Sequence, residues 1–237
     1  MIVKQELNEN LTFLGISEKG EAHLKIDKPN QDAIMFNSID GAFVIAVSDG
    51  LGSCNHSQIG AQKAVSLCND IFIEIIDEQI SFKPEIIVKR LLLLWNESFP
   101  EVVAKEYSAT LKAVFHINNE LVAISAGDGL LLIRIDNTLY TLGNVEGEFI
   151  NETACLSFGM NSDIFKTTKL EKVKCVFVFI CTDGVSNTIS EGCEQKLVEE
   201  ITSIVNIHEL CTEIEKMLVE MSRYNSDDKT IGLVKHG

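Results

Sequence analysis

Positive charge is scarce in this chain. Only 20 lysines and arginines stand against 35 aspartates and glutamates, a formal charge of −15 at pH 7. Such a surface repels phosphate backbones and anionic lipid, so neither nucleic acid nor membrane is expected as a partner. Most of the carboxylates read as solvated helix faces of the kind seen in "EQKLVEE", which favour solubility, and the remainder suit cations. Proline is rarer still, three in 237 residues. No Pro/Ser-rich linker, low-complexity tract or internal repeat marks a boundary, so residues 1–237 are expected to form a single domain. The seven cysteines are odd in number and include no CxxC pair and no His at zinc-finger spacing, which reads as reduced thiols in a cytosol. No apolar run approaches the roughly 18 residues of a spanning helix, and "MIVKQELNENLTFLGI" has no continuous signal-type core. A cytoplasmic location is the expectation.

The 46% hydrophobic content is enough for one sizeable core. Branched and aromatic runs bounded by Gly, Asn or Asp predict strands at 11–16, 33–36, 42–48, 110–117, 121–127, 130–135, 175–182 and 230–234. Asn118-Asn119 and Asp136-Asn137 each separate two apolar runs, so both predict tight hairpins. Helical spacing appears over 57–79, where Ala61, Ala64, Val65, Cys68, Ile71, Phe72 and Ile75 form one stripe with Ser57 or Asn55 as candidate caps. It recurs over 84–98, opened by Pro84, then over about 192–202 and over 207–223. This order does not alternate as βαβα, so a doubly wound parallel sheet is disfavoured. A mainly antiparallel layered sheet-and-helix domain fits better.

Four of the twelve aspartates, Asp40, Asp49, Asp128 and Asp183, precede glycine, against about one expected by chance from 15 glycines. Asp40-Gly41 reads as turn chemistry. Asp49 and Asp183 instead follow the apolar runs "AFVIAVS" and "CVFVFICT", at the rim of buried strands where an uncompensated carboxylate is costly. A hard divalent cation would compensate them, and the candidate ligands are all oxygens: Asp32, Asp49, Asp128, Asp183 and the Asp227-Asp228 pair. Such a set suits Mg2+ or Mn2+. A glycine after a ligand aspartate would also let its carbonyl approach a cation. These residues are far apart in the chain, so they act together only if the fold gathers them at one edge.

The stretches "PNQDAIMF" (29–36), "AVSDGLGS…GA" (46–61), "SAT" (108–110), "SAGDGLLLI" (125–133), "CTDGVSN" (181–187) and "SDDKTIGLV" (226–234) resemble, in order and spacing, the motifs of the metal-dependent protein phosphatases of type 2C, in the compact bacterial-type branch. The resemblance spans essentially the whole chain. It implies an α+β fold, a four-layer αββα sandwich of two antiparallel sheets flanked by helices. It also implies a serine/threonine phosphatase in which water activated at a binuclear Mn2+ or Mg2+ centre hydrolyses phosphoserine or phosphothreonine directly. In the family's pattern Asp49 would bridge two metals, Gly50 would bind the second through its carbonyl, and Asp183 and Asp227 would hold the first. Asp32 would act through bound water, and Asp128 would hold a weaker third ion. The implied partners are a phosphorylated protein and a cognate kinase, with the phosphatase itself a monomer.

The chain also departs from that pattern. Leu51 stands where many relatives carry a histidine proposed as general acid, and Gln31 replaces a glutamate. Asp27 takes the place of a phosphate-gripping arginine, with His23, Lys25 or Lys28 as substitutes, and Asn187 replaces an acidic residue. Cys54 and Cys181 read as small buried hydrophobes, since this chemistry needs no thiol. The competing reading is a phosphatase-like regulatory or binding module without turnover. A phosphohydrolase with an aspartyl nucleophile is disfavoured, because no Asp-x-Asp follows an early strand.

Overall fold

The computed structural model describes residues 2–8, 10–142 and 154–237. Its strands are β1 (Ile2–Asn8), β2 (Leu11–Glu18), β3 (Asp32–Ile39), β4 (Ala42–Asp49), β5 (Leu111–Ile117), β6 (Glu120–Ala126), β7 (Leu130–Ile135), β8 (Thr138–Leu142), β9 (Lys166–Glu171), β10 (Val176–Cys181) and β11 (Lys229–His236). They form a six-stranded sheet in the order β1-β2-β11-β10-β7-β8 and a five-stranded sheet in the order β3-β4-β5-β6-β9. Neighbours in both sheets pair antiparallel. The helices are α1 (Glu21–Lys25), α2 (Ser57–Ile76), α3 (Pro84–Ser98), α4 (Asp183–Ser186), α5 (Glu194–Ser203) and α6 (Ile207–Met221).

Three apolar layers follow from the alternation of side chains along the strands. In β5, Leu111, Ala113, Phe115 and Ile117 point outward to the stripes of α2 and α3, which contribute Ala64, Cys68, Ile71, Phe72, Leu91 and Trp95. Val114 points inward, where Phe43, Ile45, Val178, Ile180 and Val234 fill the space between the sheets. The outer face of the six-stranded sheet packs Leu132, Phe179 and Leu233 under Val198, Leu210, Ile214 and Leu218 of α5 and α6. The result is the αββα sandwich, with central strands apolar on both faces because both are covered.

The predicted hairpins form. Asn118 and Asn119 both take positive φ, 52° and 61°, between β5 and β6, Asp136 does so between β7 and β8, and Asp40-Gly41 turns β3 into β4. Four elements were not anticipated: β1, β9, α1 and the four-residue α4. β9, "KTTKLE", is an edge strand mostly open to solvent and has no apolar run. α1 buries no residue. β1 pairs only with β2, at the edge of its sheet. The expected cap of α2 is also corrected: His56 occupies the cap position, with no side-chain bond. Asn55 is instead held by the Glu106 carboxylate, and the buried Ser57 hydroxyl accepts from the Gln31 amide.

Candidate active site

Every strand end that carries a candidate carboxylate lies at the same rim of the sandwich. Register alone sets Asp32 of β3 directly across from Asp49 of β4. Like charges directly opposite one another in an antiparallel pair are unfavourable. β10 ends at Cys181 and the chain turns through Thr182 into α4, whose first residue is Asp183. Asp227 and Asp228 immediately precede β11, which lies beside β10, and Asp128 occupies the turn from β6 to β7. A cleft of about 430 Å3 opens there, lined by His23, Lys28, Gln31, Asp49, Gly50, Leu51, Thr110, Asp128, Asp183 and Asp227 among others. Asp32 is buried behind Asp49, where Thr182 Oγ1 donates to its Oδ2 at 2.8 Å.

The scaffold beneath these carboxylates is dense in hydrogen bonds. Thr110 grips the end of β4 from both sides: its N–H donates to Asp49 O at 2.7 Å and its hydroxyl accepts from Asp49 N at 3.0 Å. Asn225 Nδ2 donates to Gly184 O at 3.2 Å, and Lys229 Nζ donates to the carbonyls of Asn225 and Asp227 at 2.7 and 2.8 Å, so α4 and the 225–228 loop are tied together. Gly184 is needed there, because a Cβ would meet Asp228 O at 1.9 Å. At Gly50, too, the missing Cβ makes room for protein, since a side chain would collide with the backbone of Ser57 at 2.5 Å.

Within the Asp227-Asp228 pair the two carboxylates part company. Asp227 is exposed in the cleft, whereas Asp228 is 2% exposed. Asp228 accepts from Gly20 N at 2.7 Å, Gln31 N at 2.6 Å and His23 Nδ1 at 2.8 Å. It therefore pins α1 and the start of β3 to β11 and fixes His23 at the cleft wall. Its importance was not legible in the sequence, where the two aspartates look alike. Lys28 reaches across the cleft mouth to donate to Gly52 O at 3.1 Å. Asp27 is exposed and does not line the cleft. Cys181 is buried, and burial pushes its thiol up to about 12, which leaves it without nucleophilic character. Cys54 is only half-buried and donates to Lys105 O.

The electrostatics of this rim call for cations. Burial, then the charges of Asp32, Asp183 and Asp227, push the Asp49 carboxyl up to about 10. Burial raises Asp32 to about 7 against the hydroxyls of Thr182 and Thr230, and burial with the charges of Asp227 and Asp128 raises Asp183. Asp32 Oδ1 is buried without a hydrogen-bond partner. Carboxylates so crowded ionise together only if positive charge joins them, and an all-oxygen set of this kind fits Mg2+ or Mn2+. Among the described residues one trio, His23, Asp227 and Asp228, places possible ligand atoms within 4.8 Å of one another. The hydrogen bonds to Asp228 account for that proximity, because its two oxygens already serve three donors.

The family model for protein phosphatase 2C matches residues 19–220. The chain belongs to the protein phosphatase 2C family. No curated protein sequence matches it, but solved structures share the fold of this phosphatase. RsbX in complex with magnesium is 16% identical over 100% of both chains, with a TM-score of 0.65. The photosystem II phosphatase PBCP is 15% identical over 96% of this chain and 99% of its own, at 0.69. The catalytic domain of the serine/threonine phosphatase PstP, in complex with two manganese ions, is 15% identical over 95% and 98%, at 0.63. In this type 2C phosphatase, seven of the eight expected site residues line one cleft, and the eighth, Asp32, backs it.

Proposed function

We propose that this type 2C phosphatase hydrolyses phosphoserine or phosphothreonine on a phosphorylated protein, with Asp49, Gly50, Asp183 and Asp227 holding two Mn2+ or Mg2+ ions. Asp32 acts through bound water. One observation carries this reading: four acidic side chains separated by up to 195 positions in the chain, from Asp32 to Asp227, converge at one sandwich rim where their mutual repulsion goes unbalanced without cations. Divalent cations supply a more acidic water and neutralise charge that builds on phosphoryl oxygens.

The protein's own groups do the rest. Thr110 holds the backbone of Asp49, and the Thr182 hydroxyl donates to the Asp32 carboxylate. His23, oriented by Asp228, and Lys28 stand at the wall and mouth of the cleft as donors to the phosphate in place of an arginine. Leu51 leaves no imidazole beside Gly50, so water or another group of the cleft protonates the leaving alkoxide. We further propose, on the family resemblance alone, a cytoplasmic monomer working opposite a serine/threonine kinase.

The deciding experiment is hydrolysis of a small aryl phosphate by the metal-stripped chain as Mn2+ is titrated, with Asp183→Asn alongside. Saturable Mn2+-dependent turnover that the variant abolishes is expected. Metal binding without turnover in an intact fold would favour the regulatory module instead.

A further inference from the structure

Lys112 is among the largest fully buried side chains in the molecule, 1% exposed, and the apolar packing gives no reason for it. It lies on the inward face of β5, in the same layer as Val114, two residues beyond the Thr110 that grips Asp49. Its ammonium donates to Ser125 Oγ across the β5/β6 pair and to Gly127 O, both at 2.9 Å. Its stem packs against Gly129, where a Cβ would meet Lys112 Cε at 2.8 Å. Both glycines take positive φ, 84° and 105°. Lys112 thus touches the residue on either side of Asp128 and shapes the turn that carries it.

A cation held this deeply in a protein needs nearby negative charge. Burial lowers the Lys112 ammonium to about 8; Cys181, then Asp128 and Asp183 oppose that fall, while Lys166 adds to it.

We infer that Lys112 is a positioning residue of the cation site: it holds the Gly127–Gly129 turn so that Asp128 faces the cleft, and its fixed positive charge offsets part of the negative charge of Asp128 and Asp183. This rests on the reading of the cleft as a divalent-cation site. Lys112 touches neither phosphate nor solvent. Its effect is on how strongly that side of the cleft attracts metal, because a unit charge at such range in a partly desolvated setting opposes a divalent ion.

The test is Mn2+ binding to the metal-stripped full-length chain by titration calorimetry at low ionic strength, comparing the wild type with Lys112→Met and Lys112→Gln. Methionine keeps the stem without charge, and glutamine keeps a donor for Gly127 O. Both variants are expected to bind Mn2+ about ten-fold more tightly than the wild type. A packing role alone predicts unchanged or weaker binding, and that result in the two variants would overturn the inference. If Lys112→Met fails to fold, Lys112→Gln carries the same expectation; if neither folds, the charge role is rejected in favour of a structural one. A folded wild type that binds no Mn2+ would overturn both the metal reading and this one, whereas wild-type binding left unchanged by the variants overturns this one alone.

Discussion

Lys112 and His116 lie on the same face of β5, one on each side of Val114, and they end in opposite regimes. At the Lys112 end, carboxylates crowd together above a buried lysine whose ammonium burial lowers to about 8. At the His116 end, the ring is 3% exposed, stacks on Phe43 at 5.2 Å, lies 4.8 Å from His236, and donates from Nε2 to Val173 O at 2.9 Å. Burial lowers both imidazoles, so these polar groups stay neutral. The same sandwich therefore buries polar residues in two ways. At the His116 end they are discharged and stacked, and at the Lys112 end acids and a lysine are gathered whose charge burial disfavours until a cation joins them.

The sharpest way to break this comparison is to remove one group at each end. Asp49→Asn is expected to lower aryl phosphate turnover at saturating Mn2+ by at least about a thousand-fold. His116→Phe, which preserves the stack, should leave turnover within about two-fold. Equal losses from both would mean that the two ends are not functionally distinct.

Melting curves sharpen it next. In the metal-free chain the raised carboxyls of Asp49, Asp32 and Asp183 hold protons that the unfolded chain has already released. From about pH 4 up to those raised values, stability thus falls as pH rises. Mn2+ at about a hundred times its dissociation constant should restore roughly 3 kcal/mol, a rise of about 5–10 °C in Tm at pH 7.5. The rise should be much smaller at pH 5, where the carboxyls are already protonated. A shift independent of pH would place metal binding elsewhere.

The smallest effect has the opposite sign. Below about pH 6.5 the unfolded chain takes up protons that the buried His116 and His236 refuse, so stability falls as pH drops. With metal bound, Tm is expected to fall by roughly 2–5 °C between pH 7 and 5.5, with solvent screening at the half-exposed His236 limiting its share. His116→Phe should flatten that slope in a thermal melt series.

How much of this was legible varies with the element. The eight predicted strands and four predicted helices lie where branched runs and three-four spacing put them, because burial of both sheet faces and one helix face leaves a strong pattern. β9 and α1 left none, since neither contributes a fully buried apolar residue. In the site, Asp49 and Asp183 stood out as aspartates between an apolar run and a glycine, and Asp128 by the glycine after it. Asp228 did not, because what distinguishes it from Asp227 is a set of three donors from residues 20, 23 and 31. Lys112 was hidden for a different reason. In "TLKAVFHI" a lysine alternating with apolar residues looks like the solvent face of a half-buried strand, and only a second sheet packed over that face puts it in the interior.

The sequence by itself determined the layered antiparallel architecture, the acidic oxygen-rich character of the site and the type 2C motifs, because apolar periodicity and Asp-Gly strand ends are local properties of the chain. The tertiary structure alone decided which carboxylates face the cleft, which one braces it, and that a lysine lies beneath it. Those outcomes depend on strand register and on the packing of one sheet against the other, which bring together residues such as Gly20 and Asp228, 208 positions apart in the chain.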